Sequence, residues 1–86
     1  MDYEEAKVKL RPIVRRLARA SPDGVTVSDV RKEALRKGID LNGALYLQGI
    51  MRYAQLIKTK RMRPSSLNIH NGRMQRVWTL KPENMT

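Results

Sequence analysis

The side chains of this 86-residue chain that could do chemistry are amides and cations. Gln48, Arg52 and Gln55 follow one another at four- and three-residue spacing, which places them on one polar stripe of a helix, with Leu45 on the same side. Behind them come Lys58, Lys60, Arg61, Arg63, Arg73, Arg76 and Lys81. From Leu41 to Pro82 these seven and Arg52 make eight basic residues, with no Asp or Glu among them. Acid-base and nucleophilic chemistry need paired groups in a pocket, and this half has one imidazole, His70, and no carboxylate, so an enzyme is not expected. Cysteine is absent, which leaves no disulfide and no zinc cluster to build around His70; neither a metal nor a cofactor is expected.

Residues 1–40 hold ten basic and seven acidic side chains, so only +3 of the formal charge of +10 comes from that half. The remainder repels itself, and a polyanion would relieve it; nucleic acid is the commonest intracellular one. Apolar residues make up 41% and charged residues 30%, a balance that permits a packed core. With no Phe and one Trp, that core must come from Leu, Ile, Val, Ala and Met, as in a helix-rich protein. The length allows one domain, expected over 1–82, with a frayed tail at 83–86. There is no bilayer-length apolar run, and Asp2, Glu4 and Glu5 suit no secretory signal. A soluble cytoplasmic protein without a membrane partner is expected, nucleoid-associated, or nuclear in a eukaryotic cell.

The apolar periodicity predicts a first helix over 2–20 with Tyr3, Ala6, Leu10, Ile13, Val14 and Leu17 inward, capped by Asp2 with Glu5 as its partner. Pro12 should kink it or split it in two. Ser21-Pro22-Asp23-Gly24 reads as a tight turn and Val25-Thr26-Val27 as a single bridge of strand. Thr26 and Asp29 then start a second helix with Val27, Val30, Ala34 and Leu35 inward; Arg31, Lys32, Glu33, Arg36 and Lys37 face water, and Gly38 stops it. Asn42 can cap a third helix running to about Gln55, burying Leu47, Ile50, Met51, Ala54 and Ile57, with Tyr46 and Tyr53 on one flank. Residues 56–63 and 73–80 read as the arms of a hairpin whose nine-residue connection ends in Asn71-Gly72. Met74, Arg76, Trp78 and Leu80 share a face there, and the last two should close the core.

That order of elements, with Ala34-x3-Gly38-x5-Ala44 across the central helices and Arg76-Val77-Trp78-Thr79-Leu80 in the last strand, resembles the winged helix-turn-helix family over about residues 3–81. The resemblance implies an α+β fold, mostly α, with three helices and a C-terminal hairpin wing. It further implies that the third helix enters a major groove, presenting Asn42, Ala44, Leu45, Gln48, Arg52 and Gln55 to base edges and phosphates, while the wing touches the backbone or adjacent minor groove. Gln pairs with adenine and Arg with guanine through two hydrogen bonds, and Leu or Ala packs on a thymine methyl. Lys58, Lys60, Arg61, Arg63, Arg73 and Arg76 would neutralise phosphates, and Asn68, His70 and Arg73 could enter a minor groove. The expected function is sequence-preferring binding of double-stranded DNA by a small transcriptional regulator or a phage or mobile-element accessory factor, with no small-molecule substrate. Two other classes stay open: a docking module using Leu45, Tyr46 and Tyr53 for another protein or a homodimer, and RNA binding.

Overall fold

The computed structural model describes residues 2–40, 44–65 and 73–82. Three helices, α1 (Tyr3–Ala20), α2 (Val27–Arg36) and α3 (Ala44–Tyr53), precede an antiparallel hairpin of β1 (Leu56–Pro64) and β2 (Met74–Leu80), making a small, mostly helical α+β domain.

Asp2 Oδ1 accepts the Glu5 backbone N–H at 2.9 Å and starts α1. Of the kink or split expected at Pro12, the split does not occur: α1 runs as one helix through Pro12. Pro12 and Val8, whose carbonyl loses its helical partner, both lie on the exposed side, where water can replace the missing bond. Ala6, Leu10, Val14 and Ala18 are buried, with Tyr3, Ile13 and Leu17 packed at the margin. A second stripe, Tyr3, Lys7, Arg11 and Arg15, forms the seam with α3. Tyr3 lies 5.4 Å from Tyr46 between ring centres, Lys7 Nζ lies 4.8 Å from the Tyr53 ring centre, and Arg11 Cζ lies 5.7 Å from it. Arg15 Nη1 donates to the Ala54 carbonyl at 2.9 Å, closing the end of α3. Burial, with help from neighbouring Arg19 and Arg11, lowers the Arg15 pKa from its ordinary value.

Thr26 Oγ1 accepts from Asp29 N and Asp29 Oδ2 accepts from Thr26 N, a complete capping box for α2. At the other end Gly38 takes φ +77°, Ile39 N donates to Ala34 O at 2.9 Å and Gly38 N to Leu35 O at 3.0 Å. This turn folds Ile39 back into the core beside Ala34. Ile39 thereby occupies the place expected for Leu35, which is exposed. Glu33, expected to face water, is largely covered and pairs with Arg36 at 3.0 Å and Arg16 at 3.6 Å.

Leu47, Ile50, Met51 and Ala54 carry the buried face of α3, while Ile57 departs from the expected core and is exposed on β1. Val25 bridges Trp78 through two backbone bonds of 2.8 and 2.7 Å, so Trp78 is paired on one side with Val25 and on the other with Lys58. The strand register places Leu56, Lys58, Met62 and Pro64 opposite Leu80, Trp78, Arg76 and Met74. Trp78 and Leu80 close the core as expected, and Val77 is also buried, on the opposite face of its strand.

Candidate nucleic-acid interface

Between Lys58↔Trp78 and Met62↔Arg76 the register shifts, so Thr59, Lys60 and Arg61 stand opposite Val77 alone. This bulge in β1 is held by its own polar groups. Thr59 Oγ1 donates to the Val77 carbonyl at 2.7 Å and accepts from Arg61 N at 3.2 Å, and Arg76 Nη1 donates to the Thr59 carbonyl at 3.3 Å. Bulges re-aim side chains, and here Lys60 and Arg61 are exposed beside Arg76.

The α3 surface meets the hairpin at Trp78. Arg52 Cζ stands 5.2 Å and Lys58 Nζ 5.8 Å from its ring centre, and Lys58 Nζ donates to Gln48 Oε1 at 3.4 Å. Gln48, Lys58, Arg73 and Arg76 line one shallow concavity of about 200 Å³; Arg52, Lys58 and Lys81 line a second of about 270 Å³ that shares Lys58 and Trp78 with it. The two form one continuous basic surface. Among the described residues, none of Arg52, Lys58, Lys60, Arg61, Arg73 and Arg76 has a carboxylate within ion-pair distance, whereas Glu4, Asp29 and Glu33 hold Lys7, Arg63, Arg16 and Arg36 elsewhere.

Gln55 does not continue the stripe of Gln48 and Arg52. α3 ends at Tyr53, and Gln55 takes φ +70° in the turn to β1, half-buried, with its carbonyl accepting from Lys81 N at 3.0 Å. Arg63 is likewise drawn inward, its guanidinium held by Asp29. Tyr46 and Tyr53 are exposed but lie on the α1 seam rather than beside Gln48. Asn42, Asn68 and His70 lie outside the described residues, as do the side chains of Ala44 and Leu45. Thr59 escaped the sequence reading, because a bulge leaves no residue signature in one strand alone; Lys81, counted there among the basic residues but not assigned to the interface, lines the surface just past the end of β2.

A mixed-charge cleft of about 410 Å³ lies elsewhere, along α2 between Leu17, Asp29, Glu33, Arg36 and Arg63. Its acids and bases neutralise one another. Among the described residues no three His, Cys, Asp or Glu side chains converge, and no helix is long and apolar enough to cross a membrane. Comparison with protein-family models, curated proteins and solved structures returns no match.

Proposed function

We propose that this chain is a winged-helix module that binds double-stranded DNA with sequence preference, laying α3 in the major groove and the hairpin along the flanking backbone. One observation carries the reading: Gln48 and Arg52 on α3 run without interruption into Lys58, Lys60, Arg61, Arg73 and Arg76, a surface on which no described acid answers the cations. Such a surface suits a phosphate backbone on either side of a groove-reading helix. Arg52 can grip a guanine edge through two bonds. Lys58 donates to the Gln48 carbonyl, which leaves the Gln48 amide N–H groups available to a base acceptor. The size and charge fit a small regulator or an accessory factor of a mobile element.

Docking of another protein on α3 is the weaker reading, because Tyr53, though exposed, has Lys7 and Arg11 against its ring and Tyr46 packs on Tyr3, so both belong to the seam with α1. Fluorescence anisotropy with duplex DNA across a salt series tests the proposal. Five phosphate-neutralising cations correspond to a log-log slope of roughly −4 to −5. Arg52→Ala should remove most of the preference between sequences, a loss on the order of tenfold. Weak binding at low salt, unaltered by Arg52→Ala and Arg61→Ala, would sink the reading, and tighter binding to duplex RNA in the same titration would redirect it.

A further inference from the structure

Beyond the core the hairpin carries an unusual quartet. Past Lys58↔Trp78 the next two rungs on that face are Met62↔Arg76 and Pro64↔Met74. These four side chains therefore form a square with Met62 and Met74 on its diagonal, a spacing that long side chains bridge. All four are exposed, Met62 at 47% and Met74 at 51%. A sheet face that merely faced water would carry polar residues here, as a half-buried antiparallel hairpin ordinarily does. Instead three apolar corners surround one Arg, and cations ring the square: Lys60 and Arg61 on the bulge, Arg73 at the entry to β2, Lys58 one rung inward. Met74 and Arg76 line the same concavity as Gln48, so the square lies on the surface already assigned to DNA.

We infer that this quartet is a minor-groove wedge: Met62, Pro64 and Met74 press against base steps and bend the duplex, while Arg76 and the surrounding cations hold the phosphates on either side. The inference rests on the duplex-DNA reading and adds to it a deformation of the partner. Apolar tips of this kind, Met and Pro included, open a base step and kink the duplex when cations flank them. Methionine suits the task because its unbranched thioether adapts to an irregular surface. The occupant is identified by charge: an apolar protein patch would find four cations around its rim, whereas a phosphate backbone finds complementary charge on both edges. Flexible pyrimidine-purine steps such as TA are the cheapest to open, so the wedge would also favour sites containing them without a hydrogen bond to any base.

A mixed-sequence duplex of about 20 base pairs with central TA steps, labelled at both ends for energy transfer, reports bending and affinity in one titration; bends of about 20–90° are the range for such wedges. Wild-type protein should raise transfer on binding, Met62→Ala/Met74→Ala should bind within about tenfold of wild type yet leave the duplex near its free transfer value, and Met62→Leu/Met74→Leu should restore bending. Both positions are exposed, so the variants should fold, which the emission of buried Trp78 verifies. Binding without a transfer change, or an alanine variant that bends as fully as wild type, overturns the wedge and leaves the DNA reading standing. Absence of binding by anisotropy overturns both.

Discussion

Asp29 and Arg63 are joined across the domain: the Asp29 Oδ2 that completes the capping box of α2 also receives the Arg63 guanidinium from β1. The loop-side end of the hairpin is thereby fixed to the start of a helix. Beside it, Ser28 Oγ contacts Ser65 Oγ at 2.6 Å and donates to Gln75 Oε1, giving the buried hydroxyl partners from both strand ends. Arg63 is thus a structural cation in a region where its neighbours face solvent.

Asp29→Ala should cost about 1–2 kcal/mol, combining a lost helix cap with a partly exposed ion pair. Asp29→Asn keeps an acceptor for the cap and should cost less. Arg63→Ala should lower stability while changing the salt slope of DNA binding much less than Arg61→Ala does. Urea unfolding followed by the emission of the single Trp, together with the salt series, measures both. An equal change of slope for the two arginines would show Arg63 on the DNA instead.

Gly24 has no room for a side chain. It sits at φ +92°, and a methyl there would come within 2.6 Å of the Trp78 carbonyl and closer still to Val77 Cγ1. Left-handed strain and overpacking together should make Gly24→Ala cost about 2–4 kcal/mol. A loss below about 1 kcal/mol in denaturant unfolding would mean that the turn and Val77 shift readily.

Gln55 holds a left-handed conformation that glycine adopts freely. If that strain exceeds the side chain's half-buried contacts, Gln55→Gly should raise stability by about 0.5–1 kcal/mol. A fall in the melting temperature would show that the contacts dominate.

These positions also mark what could be read from residue order. The inward stripe of Ala6, Leu10 and Val14, the Thr26-Asp29 cap, the stop at Gly38 and the arms of the hairpin are local patterns, and the structure contains them all. What depended on a distant partner did not show. Ile39 takes the core place expected for Leu35 because the chain turns back at Gly38, and Arg15 becomes a cap only when Ala54 arrives beside it. Gln55 leaves the polar stripe because α3 ends two residues before it, and Lys60 and Arg61 are re-aimed by a bulge that exists only as a relation between two strands. Gln48 and Arg52, whose placement needed nothing beyond helical spacing, stand where the periodicity put them.

The central claim is tested most directly by an amide chemical-shift titration of the ¹⁵N-labelled protein with a short mixed-sequence DNA duplex. The account predicts salt-sensitive shifts concentrated at Gln48 and Arg52 on α3, at Lys58 to Met62 through the bulge and at Arg73 to Arg76, with the outer face of α2 from Arg31 to Arg36 unmoved. Shifts centred on the α2 cleft or on the α1 seam of Lys7 and Arg11, or no shifts at low salt, would contradict it.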